Sequence, residues 1–146
     1  MSDLPVPPPP VGAYLPAVAH AGFAWTAGMV PVDNGALAVT GRVGEDVDLD
    51  AARRAARISA RNALSALAQA VGGVERIERL VRIGVFVQCT ADFKQIPAVA
   101  DGASEALVEV LGERGRAARA SVGVYSLPLD AAVEVELVAA YREARE

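Results

Sequence analysis

The sequence predicts an α+β fold in the order β-β-(β)-α-β-α-β-β, with two helices covering one face of a mixed sheet. Three observations lead there. Apolar residues recur with a helical period from Leu49 to Val71. A β-branched run, Leu80 to Cys89, follows without that period. Two alternating segments, Arg119 to Leu127 and Ala132 to Tyr141, then close the chain. At 146 residues the chain is long enough for one hydrophobic core without disulfides or metals.

The opening MSDLPVPPPP predicts an extended proline-rich arm over residues 1–10, because proline enters neither a helix interior nor a central strand. Residues 11–146 read as a single domain. Tyr14–His20 and Gly22–Gly28 suggest two strands joined by an Ala21-Gly22 turn, and Asp33-Asn34-Gly35 a further turn before a short strand at Leu37–Thr40. In the first helix Leu49, Ala52, Ala56, Ala60, Ala63, Leu64 and Leu67 share a face, and Gly72-Gly73 ends it. The strand Leu80–Cys89 places Val81, Ile83, Val85 and Val87 on one side. A second helix runs from Ala98 to Leu111 and stops at Gly112. Pro128-Leu129-Asp130 between the last two strands suggests a hairpin. In those strands Arg119, Ser121, Gly123 and Tyr125 oppose Val122 and Val124, while Glu134 and Glu136 oppose Val133, Val135 and Leu137. The sheet face away from the helices, carrying Trp25 and Phe86, is a candidate for subunit packing.

Composition narrows the chemistry. No apolar run is long enough to span a bilayer, and the N-terminus lacks the basic start and apolar stretch of a signal peptide, so a cytoplasmic location is expected. One cysteine, Cys89, and one histidine, His20, allow neither an internal disulfide nor a Cys/His zinc site. Triad-type nucleophilic catalysis would need His20 as its base, and His20 reads as a solvated turn residue. A net charge of -4 opposes general affinity for nucleic acid. Arg53, Arg57 and Arg61 recur along the first helix, where a phosphate-contacting stripe is the sharper reading and a solvated face paired with neighbouring acids the favoured one. Gly41-Arg42-Val43-Gly44 and Gly72-Gly73 lack the spacing of phosphate-binding loops and read as turns.

The constellation that invites a functional reading is Arg119 with Glu134, expected on adjacent strands and on the parity away from the helices. An arginine fork suits the carboxylate of a small 2-keto or 2-imino acid, and a nearby carboxylate can orient or deprotonate water. From spacing alone the plainer reading, a structural Arg–Glu pair, is favoured.

Three segments carry a resemblance. Val11-Gly12-Ala13-Tyr14, Thr26-Ala27-Gly28-Met29-Val30-Pro31 and above all RASVGVYSLPLDAAVEVE (Arg119–Glu136) are similar to motifs of the RidA, or YjgF-like, family of reactive intermediate deaminases, over roughly residues 5–141. The resemblance implies a chorismate-mutase-like fold, a homotrimer whose sheets form a central barrel, and sites in the clefts between subunits. It implies cofactor-independent hydrolysis of reactive enamines and imines to 2-keto acids and ammonia. By matching position Arg119 would hold the substrate carboxylate, Glu134 would position water, and Tyr14, Ala27 and Ser121 would line the pocket. The chain departs from the family pattern as a divergent branch: Ala27 stands at a usual serine, Met29 at a glutamine, and Ala120-Ser121 at a Ser-Cys pair. The region 112–118 is longer, and Asp101 is the nearest counterpart of a frequent asparagine. The alternative function is a non-catalytic trimer that binds a small carboxylate for regulation; RNA cleavage is a third reading, opposed by the acidic charge and the missing histidine base.

Overall fold

The long β-branched run, extending from Ile77 to Gln88, becomes the middle of the fold in a computed structural model that describes residues 3–144. In chain order the elements are β1 (Ala17–His20), β2 (Phe23–Thr26), β3 (Val32–Asp33), β4 (Ala36–Leu37), α1 (Leu49–Val71), β5 (Ile77–Gln88), α2 (Ile96–Leu111), β6 (Ala118–Val124) and β7 (Val133–Tyr141). The main sheet has the order β1-β2-β7-β5-β6, with β6 parallel to β5 and every other pair antiparallel. Both helices pack on one face of it, as expected for the α+β class.

Local chemistry sets α1 where the periodicity placed it. Asp48 caps its first turn by accepting from the Ala51 N–H at 2.8 Å, and Gly72 at φ 96° closes it in a left-handed conformation that a side chain would resist. The inward face is rich in alanine, with Ala52, Ala55, Ala56, Ala60, Ala63 and Ala66 buried, which lets α2 approach closely. At the crossing Gly102 is required: a Cβ there would lie 2.4 Å from the Arg53 carbonyl oxygen. The arginine stripe of α1 is a helix-helix seam. Arg53 meets Glu105 at 2.9 Å and Arg57 meets Glu109 at 2.5 Å, while Arg61 holds the carbonyl of Asp3. Ser65 likewise bonds the Pro5 carbonyl, so the described part of the N-terminal arm lies along α1, with Leu4 against the core.

Four expectations are corrected. First, β6 and β7 do not form a hairpin, because β5 lies between them. The connection from β6 passes over the end of β5, where the buried side chain of Gln88 catches it. Gln88 accepts from the Leu127 N–H at 2.7 Å and donates to the Asp130 carboxylate at 2.8 Å and to the Gly41 carbonyl at 3.0 Å. Leu129 and Asp130 take positive φ angles of 60° and 58° to make that passage. Second, Arg119 faces the helices. Its register partner is Ile83 and that of Ser121 is Val85, both on the buried side of β5, whereas Val122 pairs with Phe86 on the far side. Alternation reveals two faces but does not label them. Third, Val81 is 39% exposed, because register shifts at Ile77/Arg79 and Leu80/Arg82 turn Ile77 and Leu80 into the core instead. Fourth, the expected strand at Leu37–Thr40 shrinks to a two-residue pairing of β3 with β4 around Asn34-Gly35, beyond which Thr40 bridges to Ala131.

The sheet face away from the helices stays open in the protomer. Val18, Phe23, Trp25 and Val122 are 45–46% exposed along it, with Glu134 and Glu136 among them on β7.

Candidate functional site

The residues singled out by sequence fall into two groups on opposite faces of the sheet. The first surrounds Glu134. Where β2 ends, the Ala27 N–H donates to the Pro16 carbonyl at 2.8 Å and Met29 exchanges backbone bonds with Val135 at 2.8 and 2.9 Å. These ties hold Ala27-Gly28 beside β7. Gly28 rests directly on the Glu134 side chain, since a Cβ at that position would come within 2.6 Å of the Glu134 carboxyl carbon. Any other residue would displace the carboxylate. Burial pushes the Glu134 pKa above the usual glutamate range, and the neighbouring Glu136 pushes the same way. Tyr14 precedes this junction and is exposed. Its hydroxyl accepts from the Val11 N–H at 3.3 Å, and its ring covers Gly12.

The second group surrounds Arg119 on the edge strand β6. Its guanidinium is drawn onto α2: Nη1 donates to Asp101 Oδ1 at 2.9 Å and to Ser104 Oγ at 3.0 Å, and Nη2 to the Pro97 carbonyl at 3.3 Å. Asp101 therefore balances the charge that was expected to hold a ligand. Ser121 lines an open cleft of about 840 Å³ between β6, the start of α2 and the loop after β5. Arg42, Cys89, Lys94 and Tyr125 line it too. The Arg42 guanidinium lies 5.3 Å from the centre of the Tyr125 ring and donates through Nη1 to the Cys89 carbonyl at 3.3 Å. Burial raises the Cys89 thiol pKa, against the pull of Arg42 and Lys94.

The structure thus brings Ala27 to Glu134 and Ser121 to the cleft, and keeps Arg119 apart from Glu134 within one protomer. The expected pairing on adjacent strands is wrong because β5 separates β6 from β7 and because the two side chains leave the sheet on opposite sides. Sequence reasoning passed over Arg42, Tyr125 and Gln88. A lone amide in a β-branched strand was the available signal for Gln88; Arg42 sat in a segment read only as a turn. Among the described residues no group of three or more His, Cys, Asp or Glu is placed to hold a metal, and no helix is long and apolar enough to cross a membrane.

Comparison with known proteins agrees with this architecture. Residues 2–141 match the family model described as "YjgF/chorismate_mutase-like, putative endoribonuclease". A protein of unknown function from Agrobacterium tumefaciens, Atu1372, superposes with a TM-score of 0.90 at 37% identity, covering 95% of this chain and 86% of that one. A protein from Shewanella oneidensis described as a "putative endoribonuclease" superposes with a TM-score of 0.91 at 30% identity, covering 94% and 91%. Protein TCP17 of Trypanosoma cruzi is 34% identical over 134 residues, which is 91% of this chain and 84% of that protein. Sequence, fold and the placement of the C-terminal motif converge: the chain belongs to the YjgF/chorismate mutase-like family, the RidA family of the motif resemblance.

Proposed function

We propose that this chain hydrolyses reactive enamines and imines of small 2-imino acids to 2-keto acids and ammonia, without a cofactor, at sites completed between copies of itself. The observation that carries the reading is the division of one motif into two half-sites. Arg119 and Ser121 stand at one edge of the sheet and Glu134 on the open face beside Ala27, and Arg119, Ser121 and Glu134 all belong to the C-terminal motif that resembles the deaminases. A head-to-tail contact that sets the Glu134 face of one copy against the β6 edge of the next would join them, and repeating that contact closes a ring such as a trimer. The exposed Val18, Phe23, Trp25 and Val122 give that contact an apolar surface. A cytoplasmic setting is part of this reading.

The chemistry asks little of the protein. An iminium carbon is electrophilic already, so the site must orient it, supply water and manage protons. Arg119 takes the substrate carboxylate, in competition with Asp101. Glu134, with its raised pKa, is basic enough to accept a proton from the attacking water as the new C–O bond forms and the C=N pair moves to nitrogen. Returning that proton to nitrogen makes ammonia the leaving group; the C–N bond breaks as the new hydroxyl gives its remaining proton back to Glu134 and the carbonyl forms.

The test generates 2-imino acids in situ with an amino-acid oxidase and measures how far the protein suppresses trapping by semicarbazide. Wild type should suppress it, and Arg119→Ala and Glu134→Gln should each lose about 100-fold or more. Refolding the two variants together should restore about a quarter of the sites, because Arg119 and Glu134 then come from different chains. No suppression by wild type would sink the reading. The Arg119–Asp101 pair specifically favours a second one, a regulatory module that binds a keto acid without turning an imine over. RNA cleavage, suggested by the names of relatives, finds no support in the acidic charge or in His20, which stands exposed at the end of β1.

A further inference from the structure

The cleft described above holds more positive charge than a simple imino acid needs. Arg119 touches it through the carbonyl of the lining residue Pro97 and has Asp101 as a partner, but Arg42 forms no ion pair among the described residues. Asp46 accepts from the backbone N–H of Arg42 at 3.2 Å, not from its side chain. The guanidinium spends one bond on the Cys89 carbonyl and lies over the Tyr125 ring, which leaves most of its N–H donors free at the cleft. Lys94 stands on the same wall. Its ammonium donates to the Ala91 carbonyl at 3.1 Å, and the exposed Asp92 feels its charge without forming an ion pair. Tyr125 is 87% exposed, so little besides Arg42 covers its ring within the protomer. An arginine positioned by a ring face and a single carbonyl, with its fork unfilled, is available to a planar anion.

We propose that Arg42, assisted by Lys94, is a second anion-binding group of this cleft, and that the acid accepted there carries negative charge at both ends. The inference deepens the proposed function and rests on it for the first carboxylate, at Arg119. Arg119 donates to the carbonyl of Pro97, which lines the same cleft as Arg42 and Lys94, so both arginines border one cleft and a ligand held at the first faces the wall that carries the second. Simple two- to four-carbon imino acids would leave Arg42 unused. A five- or six-carbon acid with a terminal carboxylate would reach toward it.

The experiment titrates the full-length chain calorimetrically with 2-oxobutanoate, 2-oxoglutarate and 2-oxoadipate as stable stand-ins for the imino acids. The dicarboxylates should bind about tenfold more tightly than 2-oxobutanoate. Arg42→Gln should remove that gain while leaving 2-oxobutanoate affinity in place, Lys94→Gln should remove part of it, and Arg42→Lys should keep part through charge alone. Melting temperatures of the four proteins separate a lost contact from a disturbed loop, and Lys94, exposed and bonded only within its own loop, gives a variant that folds regardless. A wild type with no preference for the second carboxylate, a preference that survives in Arg42→Gln, or no binding of any of the three acids at millimolar concentration would each overturn the inference. An Arg42-dependent preference in a protein that never accelerates imine hydrolysis would refute the deaminase reading alone. Turnover without the preference would refute only the second anion site.

Discussion

The two faces of the sheet are built from similar strand chemistry and end in opposite states. On the helix side Ile83, Val85, Val87, Val133, Val135 and Leu137 are buried under the alanine-lined α1 and under Leu107 of α2, so the chain closes that face by itself. On the other side Val18, Phe23, Trp25 and Val122 stay nearly half exposed around two carboxylates. The difference lies in what a face needs to be finished. Helices of the same chain supply apolar cover on one side. The other combines apolar residues with a buried-leaning glutamate, a pattern suited to contact with another surface and to chemistry at its rim.

The contrast can be tested by weakening each face in turn. Leu107→Ala opens a cavity in the closed face and should cost about 3 kcal/mol of stability in urea unfolding; a loss below 1 kcal/mol would mean that this core is loosely packed. Gln88→Leu should cost about 2 kcal/mol, because the Leu127 N–H, the Gly41 carbonyl and the Asp130 carboxylate lose their shared partner. The same variant should expose the 125–131 connection to faster hydrogen exchange. Trp25→Glu on the open face should leave helix content unchanged and protomer stability within about 0.5 kcal/mol. It should convert an assembled species to protomers in sedimentation velocity. If wild type already sediments as a protomer, the open face is not a contact between copies.

Charge gives the smallest effects, of opposite sign on the two faces. Burial raises the Glu134 pKa, so the native state favours its neutral form. That contribution is full below the ordinary glutamate pKa and is lost as pH rises through it toward the raised native value. Glu134→Gln should therefore flatten this part of the stability profile and gain on wild type toward neutral pH; an unchanged profile would contradict the burial. Glu109 is the reverse case, held below the usual range chiefly by its hydrogen bond from Arg57. Its contribution is present above the ordinary pKa and fades as pH falls through the native value. Both partners are largely exposed, so a double-mutant cycle on Arg57 and Glu109 should give less than about 1 kcal/mol and shrink with salt.

Much of the fold was legible because it is local. The span of α1 follows from its period, the Asp48 cap and Gly72, all of which lie within or next to the helix. The Asn34-Gly35 turn follows from residues that tolerate positive φ, and Gly22 supplies that freedom to the Ala21-Gly22 turn, where Ala21 is carried to φ 53° as well. The candidate site was legible only as a set of residues: the motif singled out Arg119 and Glu134, and neighbouring motifs added Tyr14, Ala27 and Ser121. Asp101, noted as a counterpart by position, proved to be the partner of Arg119. Arg42 and Tyr125 escaped notice because they lie far apart in sequence and meet only where the loop before α1 crosses the end of β6.

By itself, then, the sequence determined the elements, their order and the residues worth suspecting, since periodicity, caps and turns act over a few neighbouring residues. Tertiary structure alone decided that β5 separates β6 from β7, that Arg119 faces α2 while Glu134 faces the open side, and that Arg42 lies over the Tyr125 ring. Those outcomes depend on strand pairing and helix docking across long sequence separations. Alternation along a strand defines two faces but not what will come to cover either one.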